Sequence, residues 1–349
     1  MRIIGVASAL PESRYRQEQI TDALARHWGS TLRQPELLRR IHSRVGVKER
    51  RLAFSLNEYV GLRTWGQANA AWLKVAERLA ADAIDAALSR SGLRHSDIDS
   101  LYVVSITGIA SPSLDARLIN RMGLRSDVKR TPIFGLGCVG GATGLVRAAD
   151  YVRAFPNEIS VLLAVEVCSL TIQPDDLSTA NLIATGLFAD GAVAAVLAGN
   201  RGACDGPEIL CTKSVFYPGT EEMLGWDISE RGLRVILSPK LPDLIRSRFG
   251  SDVGCFLAEN GLHKEDIGSW AIHPGGPRIL EAVECALGLR HSELEVSWDC
   301  LARFGNLSSG SVLQVLEETM TGRRPPTDTL GVIAAMGPGF CAELLLVRW

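Results

Sequence analysis

The feature that most constrains this chain is a duplication hidden in its sequence. Residues 91–105 (SGLRHSDIDSLYVVS) share their frame with residues 260–274 (NGLHKEDIGSWAIHP). Each copy reads as a helix closed by Gly, a short polar loop and then a buried strand. A second pair follows at 137–150 (GCVGGATGLVRAAD) and 305–318 (GNLSSGSVLQVLEE), where small residues give way to a helical apolar period, with the first helix expected from Leu145 to Val152. Both copies finish in Gly-led apolar runs, 191–197 and 339–347. Strands alternating with helices in the same order twice predict an α/β layered fold with two sheets related by a pseudo-twofold axis.

A chain of 349 residues is long enough for two such units. Its formal net charge of -2 gives no global attraction to nucleic acid or to an anionic membrane, so any phosphate recognition must be local. The first residues carry too short an apolar stretch and too early a proline for a secretory signal, and the apolar runs are far below a membrane span. The expectation is a cytoplasmic protein. Eight cysteines are scattered without a C-x-x-C pair, which predicts reduced, mostly buried thiols rather than a zinc knuckle or a disulfide scaffold. No metal is implied, and the lack of a Gly-rich fingerprint after an early strand argues against a nicotinamide cofactor.

The duplication also organises the chemistry. His273 lies 169 positions after Val104 and Asn306 lies 168 positions after Cys138, so both fall within one residue of a single repeat frame. Cys138 sits in a glycine-rich loop opening into a helix, where free N–H groups and the positive dipole end favour a thiolate nucleophile; a Cys among glycines also serves simple close packing. His273 ends a buried strand at His-Pro-Gly-Gly-Pro, a rigid loop at a strand terminus, the place where α/β proteins carry their sites. Asn306 at a helix start is an ordinary N-cap, or a neutral amide able to donate to a developing oxyanion.

Taken together, these segments resemble the type III polyketide synthases of the chalcone synthase superfamily. The resemblance rests on G-C-x-G-G at Cys138, W-x-x-H-P-G-G-P at residues 270–277, G-N-x-S-S at 305–309 and G-P-G at 337–339, and spans nearly the whole chain. It implies a thiolase fold of duplicated αβαβα halves in five layers, residues 1–205 bearing the nucleophile and 206–349 bearing the His and Asn. It also implies a homodimer and a catalytic set of Cys138, His273 and Asn306. By the same comparison Phe188 is the gatekeeper aromatic, Val235 replaces a second aromatic gate, and Thr107, Cys168, Thr171, Trp226, Ser308 and Met336 line the substrate cavity. Arg44, Lys48, Arg50 and Arg51 form the strongest basic cluster, and Arg278 adjoins the His loop; these are candidates for the CoA phosphates, or a solvated charged face.

Residues 107–117, 166–175 and 224–228 are similar to bacterial enzymes that make alkylpyrones and alkylresorcinols. The implied activity joins a long-chain fatty acyl-CoA starter to malonyl-CoA by repeated decarboxylative condensation. Three other readings stand beside it: a single-extension ketoacyl synthase acting on a carrier protein, a cysteine peptidase with the same Cys, His, Asn order, and a non-catalytic lipid-binding protein.

Overall fold

The computed structural model describes every residue except 33, 63 and 201–204, so Cys204 lies outside the described residues. The N-terminal half runs β1 (Arg2–Ala9), β2 (Ser13–Arg16), α1 (Gln17–Trp28), α2 (Pro35–His42), β3 (Glu49–Leu52), α3 (Trp65–Ser91), β4 (Ile98–Val104), α4 (Leu114–Met122), β5 (Lys129–Ile133), α5 (Gly140–Ala154), β6 (Ile159–Val167), α6 (Thr179–Leu187) and β7 (Asp190–Ala198). The C-terminal half runs β8 (Glu208–Phe216), β9 (Leu224–Ser229), β10 (Gly232–Leu237), α7 (Leu241–Glu259), β11 (Ile267–Ile272), α8 (Pro277–Leu287), α9 (Glu295–Phe304), α10 (Gly310–Gly322), β12 (Leu330–Gly337) and β13 (Cys341–Arg348).

The duplication is real at the level of topology. The strand order is β11-β12-β13-β8-β1-β7-β6-β4-β5, so β8, β13, β12 and β11 repeat the order of β1, β7, β6 and β4. Where two separate sheets were expected, the two halves meet edge to edge through a single pairing of Arg2 with Glu208. Local structure repeats as well. In one copy the Asp97 carboxylate accepts from the Arg94 N–H at 2.8 Å, and in the other Asp266 accepts from the His263 N–H at 2.8 Å. Both preceding helices close alike, Leu93 N–H reaching Leu88 O and Leu262 N–H reaching Leu257 O, each at 3.0 Å.

Burial explains the layering. Strands β6 and β7 are buried along their whole length, as the run ISVLLAVEV requires of strands covered on both faces. Helix α3 lays Ala76, Leu79, Ala80, Ala83, Ile84 and Ala87 against one face of the N-terminal strands. Helices α7 and α8 cover the C-terminal strands in the same way with Phe249, Val253, Leu280 and Val283. Between the two halves, α5 and α10 share one core in which Leu145, Ala148 and Leu313 meet Leu162 and Val193 from one side and Ile333 and Leu345 from the other. The order helix, sheet, helix pair, sheet, helix is the expected five-layered αβαβα arrangement. At their starts the central helices nearly touch, because a Cβ on Gly141 would lie 2.1 Å from the Ser309 carbonyl oxygen. That contact draws the Cys138 loop and the Asn306 loop together.

Candidate active site

The Cys138 loop is shaped by what it must pass. Cys138 lies in a single 3₁₀ turn, Gly137–Val139, which feeds into α5; the helix therefore begins at Gly140, five residues before the expected Leu145. A Cβ on Gly337 would sit 2.6 Å from the Val139 nitrogen, so the G-P-G segment is a close backbone approach behind the cysteine. The Cys138 thiol is 8% exposed and faces the Ser308 hydroxyl oxygen at 3.8 Å.

Asn306 does not cap a helix. It precedes α10 by four residues and forms a bridge with Phe188: its N–H donates to Leu187 O and its C=O accepts from the Ala189 N–H, both at 2.9 Å. Its side-chain oxygen accepts the Ser308 N–H at 2.7 Å and the Ser311 hydroxyl at 3.2 Å, which fixes the amide flip. The amide NH2 is left to face the His273 loop, reaching Gly275 O at 3.4 Å. Ser308 adopts a φ of 50°, a left-handed conformation that a non-glycine residue holds only under constraint.

His273 is held by its backbone N–H on Ala334 O at 2.9 Å, directly beyond β11. Its ring is 2% exposed, and neither ring nitrogen has a partner among the described residues. Burial pulls the imidazole down to about 3, so it is neutral and can accept a proton. The expected thiolate is not what this environment favours. Burial pushes the Cys138 thiol up to about 12, with the Glu166 carboxylate adding to the rise while hydrogen bonds from Ser308 and Asn306 oppose it. Desolvation opposes the effect of the helix start, and burial favours the neutral form of each group.

Two buried carboxylates were missed by sequence reasoning. Glu166 is fully buried and accepts from Ser309 Oγ at 2.5 Å, Thr107 Oγ1 at 2.8 Å and the Ile106 and Thr107 N–H groups at 3.1 and 3.2 Å. Burial raises it to about 7 against those donors. Asp190 is likewise buried, accepting from the Ser169 N–H at 2.8 Å and the Ala53 N–H at 2.6 Å, and burial raises it to about 6. The signal was present: each is the single charge in or beside an otherwise apolar buried run.

Next to these loops lies a partly open cavity of about 1380 Å³. Thr107, Cys168, Thr171 and Phe188 are among its lining residues, whereas Trp226, Val235, Ser308 and Met336, like Cys138, His273 and Asn306, are not. Trp226 instead packs on Phe188 with ring centroids 6.4 Å apart, and Val235 is paired opposite Trp226 on the β9–β10 hairpin. Met336 belongs to the core of the C-terminal half, and Ser308 faces Cys138.

The basic cluster separates into two groups. Arg44, Lys48 and Arg278 are exposed, and the first two flank Gly46, which packs on Pro277 beside Arg278, a Cβ on Gly46 falling 3.0 Å from the proline Cγ. Arg50, expected at that surface, is 2% exposed and points inward, donating to Phe188 O and, at 2.8 Å, to Thr185 O. Arg51 is turned toward Pro11 O at 3.0 Å and Glu12 O at 3.3 Å. The seven described cysteines are free, but only Cys138, Cys168 and Cys300 are buried, fewer than expected. No described helix is long and apolar enough to cross a membrane.

A thiol, an imidazole and an oriented amide, contributed by both halves beside a large cavity, are groups of the kind that acyl transfer requires. Residues 1–201 match the family "Chalcone and stilbene synthases, N-terminal domain" and residues 208–349 match its C-terminal domain. Among curated proteins, a 1,3,6,8-tetrahydroxynaphthalene synthase of Streptomyces peucetius subsp. caesius is 51% identical over 351 residues, covering 99% of this chain and 93% of that protein. A 3,5-dihydroxyphenylacetyl-CoA synthase of Streptomyces toyocaensis is 32% identical, covering 100% of this chain and 90% of its own. Among solved structures, the Streptomyces coelicolor A3(2) 1,3,6,8-tetrahydroxynaphthalene synthase, a bacterial type III polyketide synthase, superposes with a TM-score of 0.95 at 29% identity, covering 100% and 99% of the two chains. These relatives bear aromatic-product names, where the sequence had suggested alkylpyrone enzymes. The chain belongs to the chalcone and stilbene synthase family and is a type III polyketide synthase.

Proposed function

We propose that this enzyme builds a poly-β-keto chain from malonyl-CoA on Cys138 and folds it to a hydroxylated naphthalene of the kind its 51%-identical relative is named for. A naphthalene skeleton oxygenated on alternate carbons is what repeated two-carbon additions leave. The observation that supports the reading is the meeting of the Cys138, Asn306 and His273 loops from the two halves, with Asn306 bridged to Phe188, which lines the neighbouring cavity.

Each cycle uses these residues in turn. Substrate entry brings a thioester carbonyl to the cysteine; His273 takes the Cys138 proton, sulfur attacks the carbonyl, and the proton passes to the departing CoA sulfur. A malonyl thioester then binds with its carbonyl oxygen toward the Asn306 NH2 and the His273 ring. Loss of carbon dioxide leaves an enolate whose charge those donors stabilise. The enolate carbon attacks the Cys138 thioester, forming the new carbon–carbon bond on CoA and releasing the Cys138 thiolate, which takes up a proton from solvent or is reloaded directly by the elongated CoA thioester. Arg44, Lys48 and Arg278, exposed beside the His273 loop, supply the charge for the CoA phosphates.

A second reading has a long-chain acyl starter and an alkylpyrone or alkylresorcinol product. It is favoured by the cavity, whose volume of about 1380 Å³ exceeds the roughly 300–1,000 Å³ usual for small-molecule sites, and whose walls include Leu52, Leu56, Leu62 and Leu170. Incubation with malonyl-CoA alone, and then with a ladder of acyl-CoA starters, separates the two by product mass.

A further inference from the structure

We propose that Arg50 is a positioning residue that clamps the Thr185–Phe188 turn, and so sets where the Phe188 ring stands between Asn306 and the product cavity. Two guanidinium nitrogens act across the turn, one donating to Phe188 O and the other to Thr185 O at 2.8 Å, while Nε has no partner among the described residues. The far side of the same segment is held by Asn306, bonded to Leu187 O and to the Ala189 N–H at 2.9 Å each. The gate is thus pinned between one buried arginine and the residue that faces the nucleophile loop.

The stem of Arg50 completes the link. It runs so close to Gly305 that a Cβ there would lie 2.9 Å from the arginine Cδ, at a residue whose φ of 73° already favours glycine. Gly305 precedes Asn306 directly, so displacement of the arginine frees both strands of the Phe188–Asn306 bridge. The cation is matched by the buried Asp190 carboxylate, which is fixed to the backbone of Ser169 and Ala53. Lysine would keep the charge but, as a single ammonium, cannot reproduce a planar fork spanning two carbonyls.

The proposal presupposes the condensing activity proposed above, and the wild-type product profile tests that activity separately. Arg50→Lys is prepared alone and with Phe188→Ala, and products from malonyl-CoA are resolved by mass spectrometry alongside thermal melting. In Arg50→Lys the ratio of short, prematurely released pyrones to full-length product should rise by roughly tenfold. In the Phe188→Ala background the same substitution should change that ratio less than about twofold, since residues that act through one another are not additive. An unchanged ratio in Arg50→Lys, equal effects in both backgrounds, or a loss of total turnover at constant ratio would each overturn it. Should Arg50→Lys not fold, Arg50→Gln is read by the same ratio; if neither folds, the arginine is structural only and the proposal fails.

Discussion

The side-chain oxygen of Asn306 accepts the backbone N–H of Ser308 at 2.7 Å, and this one bond decides what the amide can do. With its oxygen so occupied, the NH2 points toward the His273 loop and is the only end of the group available to a substrate oxygen. Asn306→Asp keeps the acceptor and removes the donor. Malonyl-CoA decarboxylation should fall by roughly the 10²–10³-fold expected for loss of one oxyanion donor. Release of carbon dioxide at the wild-type rate would remove Asn306 from the mechanism.

Cys138 tests the protonation state of the resting site. Burial raises the thiol to about 12 and lowers His273 to about 3, both shifts favouring the neutral forms near neutrality. Inactivation by iodoacetamide should therefore accelerate steadily from pH 6 to pH 9. A rate already on its plateau at pH 6 would show a preformed thiolate–imidazolium pair instead.

Glu166 gives a stability prediction whose sign follows from linkage. Its folded value, raised to about 7 by burial, lies above the ordinary carboxylate value, so the folded state binds the extra proton between the two. Stability from this group is full at low pH and is lost as pH climbs to about 7. The difference in unfolding free energy between wild type and Glu166→Gln should decline between pH 5 and 7 and flatten above. A difference that grows over that interval would contradict the assignment.

Position 235 separates sequence from structure. A valine in place of a second aromatic gate implied a widened passage, yet Val235 sits opposite Trp226 on the hairpin and off the cavity wall. Val235→Phe should shift starter preference by no more than about twofold, the scale of a substitution away from a critical feature. Thr171→Phe, which does enter the cavity, should shorten the products. The reverse pattern in a product-length assay would restore Val235 as a gate.

The sequence made the duplication and the layering legible, and it singled out the three side chains whose loops the structure brings together, because each leaves a local mark: a Gly-closed helix, an apolar run, a polar residue among glycines and prolines. What it hid depends on direction. Arg50 and Arg51 adjoin Lys48 in one basic run, but a strand sends alternate side chains to opposite faces, and β3 drives Arg50 into the interior. The state of Cys138 was hidden for a related reason, since a helix start is visible in a sequence while the depth of burial around it is not. Glu166 was legible in principle as the one charge in β6.

The account stands most directly on what the purified enzyme does with malonyl-CoA as sole substrate. It predicts release of carbon dioxide and CoA together with a condensed, hydroxylated aromatic product, the condensed product being lost in Cys138→Ala. Carbon–carbon bond formation that persists in Cys138→Ala would contradict it, as would a wild-type enzyme that forms no condensed product from malonyl-CoA with or without any acyl-CoA starter.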